Sequence, residues 1–133
     1  MKTLKAACWL LGLSCSLGIV STVFASSDCD LDLGKQAFST CSTCHTNGAS
    51  ETHAVGPNLY GVVGSDAGTA RGFTYSVALE ELDTKWTPEE LSKFLASPME
   101  YAPGTMMAYG GMKNEAQRNA VICYLEQSAE QLR

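Results

Sequence analysis

Cys41-Ser42-Thr43-Cys44-His45 places two thiols three positions apart, with an imidazole directly behind the second. That grouping suits covalent attachment of a haem: each thiol bonds a porphyrin vinyl group as a thioether, and the histidine comes to lie under the ring as an iron ligand. The same residue types serve two other chemistries. A Cys-x-x-Cys with a neighbouring histidine is half of a zinc site, and a Cys-x-x-Cys alone is the dithiol of thioredoxin-like proteins. Zinc needs four ligands, yet no second Cys-x-x-Cys or histidine pair is present. A thioredoxin-like fold needs βαβ units, and none is visible. One haem c on Cys41 and Cys44, with His45 as iron ligand, is therefore the expected chemistry. His53 lies in a loop among Ser, Glu and Thr and reads as a solvated side chain.

Helices have to carry this site. Asp32 is the expected cap of a first helix on which Leu33, Ala37, Phe38 and Cys41 recur at helical spacing. Gly34 is costly inside a helix unless another backbone must come close. From Thr46 to Leu82 the chain is rich in Gly, Thr, Ser and Asn, and strand alternation never persists. Long stretches without structure of their own are unusual in a small domain, and they make sense if the loops wrap a large cofactor. Thr87-Pro88-Glu89-Glu90 opens a second helix with a cap, a proline at the first helical position and a capping box. Leu91, Phe94 and Leu95 form its apolar face, and Ser97-Pro98 ends it. Asn114-Glu115-Ala116-Gln117 opens a third, running towards Leu132 with Ala120, Val121, Tyr124 and Leu125 largely on one side. Three helices and no convincing strand predict an all-α domain.

Lys2 and Lys5, then a mostly apolar run from Trp9 to Phe24, then Val23-Phe24-Ala25, make an export signal with cleavage expected after Ala25. An uncleaved anchor is the alternative, although glycines and serines break the run. Residues 1–25 are then the signal and 26–133 one domain, with no integral membrane span after processing. All fourteen acids lie after the cut, and two of the nine bases leave with the signal, so the mature charge is −7. That argues against nucleic acid and anionic membrane surfaces as partners. Of six cysteines, Cys29, Cys41, Cys44 and Cys123 remain in a compartment where disulfides persist.

Further elements follow the pentapeptide in order: Gly56-Pro57-Asn58-Leu59-Tyr60-Gly61, Gly72-Phe73-Thr74-Tyr75, Trp86, Pro103-Gly104-Thr105-Met106-Met107, and a closing helix with Tyr124-Leu125. Together they resemble a class I cytochrome c, of the soluble mitochondrial and bacterial type, over essentially the whole mature chain. The resemblance implies an all-α class I cytochrome c fold: three main helices plus short helices, and long loops wrapping one covalent haem. It implies Met107 as the second iron ligand, with Met106 as the neighbour that would replace it. A soft thioether opposite an imidazole stabilises ferrous iron and suits electron transfer. It also implies that the Pro57 carbonyl accepts the second ring N–H of His45, and that Tyr75 and Trp86 hydrogen-bond a haem propionate, ordinary aromatic core being the other reading. Gly34, Phe38, Val121 and Tyr124 match a contact between the first and last helices. The family packs those helices together, which leaves Cys29 and Cys123 either bridged or as separate thiols.

The departures matter as well. Ser65 stands where the mitochondrial family has an arginine near the propionates, Phe94 where a tyrosine donates to the methionine sulfur, and Leu79 where an asparagine lies nearby. Met99, Glu100 and Met106 replace lysines of the docking surface. The expected function is a soluble, exported, monomeric one-haem electron carrier rather than an enzyme, in the bacterial periplasm. It would cycle Fe(III)/Fe(II) between respiratory or photosynthetic redox proteins. Docking is expected through Met99, Met106, Ala108 and Tyr109, or by attraction to a basic partner, rather than by a lysine ring. The alternatives are the electron-accepting haem subunit of a periplasmic dehydrogenase, and a gas- or peroxide-reactive haem protein with a labile methionine.

Overall fold

Asp30, not Asp32, caps the first helix. Its Oδ1 accepts the Leu33 N–H at 2.9 Å, and Asp32 falls in the first turn, where its charge favours the positive helix end. The computed structural model describes residues 29–50 and 52–130. The expected export segment, its cleavage after Ala25, and Leu132 lie outside them. Among the described residues five helices follow in order: α1 (Leu31–Cys41), α2 (Val77–Glu80), α3 (Pro88–Ala96), α4 (Pro98–Tyr101) and α5 (Glu115–Glu130). There is no strand among the described residues; one antiparallel bridge joins Asp66 and Lys85. The fold is all-α, as expected from sequence.

α1 and α5 pack against each other through the glycine that looked costly. A Cβ on Gly34 would stand 2.8 Å from the Tyr124 Cβ and would also strike the Ala120 carbonyl oxygen. Phe38 lies against Tyr124, ring centroids 5.4 Å apart, and Val121 is almost wholly buried. Each fully buried side chain of this size contributes roughly 1.5–3 kcal/mol. α5 is covered by α3 as well as α1, so Ile122 is buried beside Val121 and Leu125, a wider arc than the one-sided stripe expected from sequence. Cys29, just ahead of α1, forms a disulfide with Cys123 of α5, with Cα atoms 6.0 Å apart. The bridge fastens the two helices at one end.

α3 starts as the sequence predicts, with Thr87 Oγ1 accepting the Glu90 N–H at 3.2 Å and Pro88 in the first turn. The reciprocal half of the capping box is not made. The Glu90 carboxylate instead accepts from the Tyr101 hydroxyl and from Lys93 Nζ. The C-terminal carbonyls of α3 are satisfied by the segment beyond α4: Met112 N–H donates to the Leu95 carbonyl at 2.7 Å, and Lys113 Nζ to that of Ala96 at 2.7 Å. Gly111 allows this approach, at φ +91°. Arg118 closes the junction, bonding Ser92 Oγ from Nε and the Met112 and Lys113 carbonyls from Nη1.

Candidate functional site

α1 ends at the first cysteine of the motif. The next turn is tight: the Cys44 and His45 N–H groups both donate to the Cys41 carbonyl, at 3.0 and 2.9 Å. Gly56 N–H then bonds the Cys44 carbonyl at 2.7 Å, which brings the Gly56-Pro57 segment across the histidine. His45 Nδ1 lies 2.7 Å from the Pro57 carbonyl. A carbonyl only accepts, so Nδ1 carries the proton and Nε2 keeps its lone pair for a ligand. Gly56 makes room for this ring, since a Cβ there would stand 2.7 Å from His45 Nδ1.

Cys41 and Cys44 are free thiols, both half-buried. Burial pushes the Cys41 thiol up from its ordinary value. Its place at the C-terminal, electronegative end of α1 also opposes thiolate formation, whereas reactive dithiols use a helix N-terminus. Among the described residues no group of three His, Cys, Asp or Glu side chains is arranged to hold a metal ion, so the zinc half-site finds no partners.

The Pro103–Met107 loop leaves α4 in a turn closed by Thr105 N–H on the Ala102 carbonyl at 3.0 Å, with Gly104 at φ +95°. Thr105 is buried, and its hydroxyl accepts the Met107 N–H at 3.3 Å. The two adjacent methionines then part company. Met106 is 66 % exposed, whereas Met107 packs, with Cys41, Leu59, Leu79 and Tyr109, against the core cluster that contains Trp86 and Phe94.

Trp86 is buried, with ring centroids 5.0 Å from Phe94 and 6.1 Å from Tyr101. Phe94 is equally buried and brings no hydroxyl to the cluster. The Tyr101 hydroxyl does not replace it, being bonded to Glu90. Tyr75 stacks edge-on against Phe73 at 4.9 Å, and burial raises its phenol from the ordinary value. Ser65, in the position of the family's arginine, is a local turn residue whose hydroxyl donates to the Val62 carbonyl at 2.8 Å.

One residue differs from its sequence reading and another was missed. His53 is half-buried and held at both ring nitrogens: Nδ1 accepts the Asn58 N–H at 2.9 Å, and Nε2 lies 3.0 Å from the Arg71 carbonyl. It joins the loop that positions Pro57 to the loop at Arg71, rather than lying in solvent. The Gly56-Pro57-Asn58 turn next to it was the available signal. The other is Ser76, whose buried hydroxyl has no hydrogen-bond partner among the described residues. An unpaired buried hydroxyl costs about 1–3 kcal/mol, so such groups usually face something that completes them. A haem carboxylate is a fitting acceptor. With a histidine poised through Nε2, two unpaired thiols beside it and an apolar cluster containing Met107, the residues present fit a covalent haem.

Comparison with known proteins agrees with this fit. The sequence model of the Cytochrome c family matches residues 31–129. Cytochrome c of Stellaria longipes is 38% identical over 102 residues, covering 76% of this chain and 94% of its own. A cytochrome c homolog of Bradyrhizobium diazoefficiens is 40% identical over 101 residues, 75% of this chain and 55% of that protein. Among solved structures, cytochrome cH from Methylobacterium extorquens superposes with a TM-score of 0.70 at 36% identity, covering 74% of this chain and 98% of that one. The chain therefore belongs to the cytochrome c family, whose members are haem electron carriers.

Proposed function

We propose that this chain is an exported, monomeric one-haem electron carrier, with haem attached through Cys41 and Cys44 and its iron held between His45 and Met107. The observation that carries the reading is the His45 Nδ1 contact with the Pro57 carbonyl at 2.7 Å, which leaves Nε2 as the free ligand atom. When bound, haem supplies the iron that accepts and returns one electron. The protein's residues hold that group in place. Pro57 orients His45, and hydrogen bonding to its Nδ1–H raises the basicity of Nε2. Thr105 and the Gly104 turn direct Met107 into the core rather than Met106. Ser76, Tyr75 and Trp86 supply donors for the propionates, and Trp86 and Phe94 exclude water. Were His45 and Met107 both to hold the iron, it would be left to exchange electrons rather than to bind a substrate.

The export signal of residues 1–25, with cleavage after Ala25, fits this reading and makes the periplasm its site. Its partners are then membrane-bound or periplasmic respiratory or photosynthetic redox proteins, or a dehydrogenase that it serves as a haem subunit. Among the described residues no helix is long and apolar enough to cross a membrane. A second reading, a gas- or peroxide-reactive haem protein, is favoured by one observation: Phe94 beside Trp86 carries no hydroxyl, and the Tyr101 hydroxyl is bonded to Glu90. A redox titration with carbon monoxide tests the two. The carrier reading expects one reversible one-electron couple and a ferrous spectrum unmoved by carbon monoxide at neutral pH. A carbon monoxide complex formed at neutral pH would favour the second.

A further inference from the structure

We infer that the face built by α2, α4 and the Pro103–Met107 loop is the docking surface for a redox partner that presents an apolar area edged with lysine or arginine. The inference rests on the electron-carrier reading. Three of the exposed large hydrophobic side chains lie on this face: Met99 on α4 (56 %), Met106 on the loop (66 %) and Val77 on α2 (64 %). The three segments adjoin. A Cβ on Gly104 would stand 3.6 Å from the Ala78 Cβ, and the loop is pinned to the end of α4 through Ala102. Methionine suits a transient interface, because its flexible thioether adapts to whatever it meets. Met107, one residue inside the exposed Met106, places the proposed iron ligand directly beneath this surface.

The unpaired charge around the patch is mainly negative. Glu80 on α2 and Glu100 on α4 are exposed. Glu81 and Asp83 follow α2 and, with Glu80, line an open groove of about 360 Å³. Of the neighbouring cations, Lys85 is paired with Asp66 at 2.9 Å and Lys93 with Glu89 and Glu90 at 2.8 and 2.9 Å, while Lys113 donates to the Ala96 carbonyl at 2.7 Å and is outnumbered by Glu80, Glu81, Asp83 and Glu100. The field projected by this face is therefore negative, and steering favours a cationic partner. A second copy of this chain would meet it with like charge, and an anionic lipid surface would be repelled.

Tris(phenanthroline)cobalt(III), a cation with an apolar periphery, is a suitable probe. Added to the oxidised holoprotein carrying ¹³C-methyl methionine, it should shift the Met99 and Met106 methyls while the buried Met112 methyl stays put. The shifts should shrink as salt is added. The same complex oxidises the reduced protein, and Glu100→Lys should slow that reaction by about threefold or more. Glu126→Lys on α5, with the same change in net charge, should slow it by less than about 1.5-fold. Unmoved methyls, or equal slowing by the two substitutions, would overturn the inference. Shifted methyls in a protein whose iron the complex cannot oxidise would instead contradict the carrier reading and leave the docking face standing.

Discussion

Gly56 shows how much of the site depends on a missing side chain. His45 occupies the space that a Cβ would fill, so Gly56→Ala must displace the ring or the Pro57 carbonyl that orients it. The expected result is about 1–3 kcal/mol of lost stability, as for overpacked positions, together with an altered ferric spectrum. Gly110→Ala, where a Cβ meets nothing within 4 Å, should do neither. Denaturant unfolding followed in the haem band checks both. At this scale the spacing of Cys41, Cys44 and His45 is itself a sequence feature, and the fold gathers them in one tight turn. His53 was not readable, because its role lies in two backbone partners, at Asn58 and Arg71, that only the folded loops bring together. Ser76 was missed for the same reason: a serine's burial depends on tertiary packing, and its residue type carries no sign of it.

The helices that carry their own start signals, α3 and α5, were legible. Asn114 Oδ1 accepts the Gln117 N–H at 3.1 Å, and Thr87 caps α3. α1 was legible too, although its cap was misplaced by two residues because both aspartates suit the position. The one-turn helices α2 and α4 were not placed, since four residues hold no periodicity. Two tests belong at this level. Reducing the Cys29–Cys123 bridge, which spans 94 positions, should cost about 2–4 kcal/mol through the freed unfolded chain. Unfolding midpoints with and without reductant measure it, and the haem spectrum should be unchanged below the transition. The second concerns Glu90, held below the usual carboxylate range by hydrogen bonds from Tyr101 and Lys93. A depressed folded pKa adds stability above the ordinary carboxylate pKa, and this is lost as pH falls through the lowered value. Glu90→Gln should therefore lower stability slightly at neutral pH and flatten the acid limb of the stability curve. A curve parallel to that of the unmodified protein would count against the link between α3 and α4.

For the molecule as a whole, a small chain with long loops closes around one apolar cluster to which α1, the loops, α3, α4 and α5 all contribute. The sequence disclosed this indirectly, as loops too long for a domain of this size unless they enclose something. It disclosed the acidic balance directly, but not which cations are internally engaged, because Lys85, Lys93 and Lys113 find their partners only in the fold. Which sulfur faces the iron decides whether Met107 is the ligand proposed for it. The ferric spectrum of the oxidised protein carries a weak red charge-transfer band when a methionine is bound. With Met107 as ligand, the band should be present, survive Met106→Ala and disappear in Met107→Ala. A band that survives Met107→Ala, or is absent from the unmodified protein, would contradict that assignment.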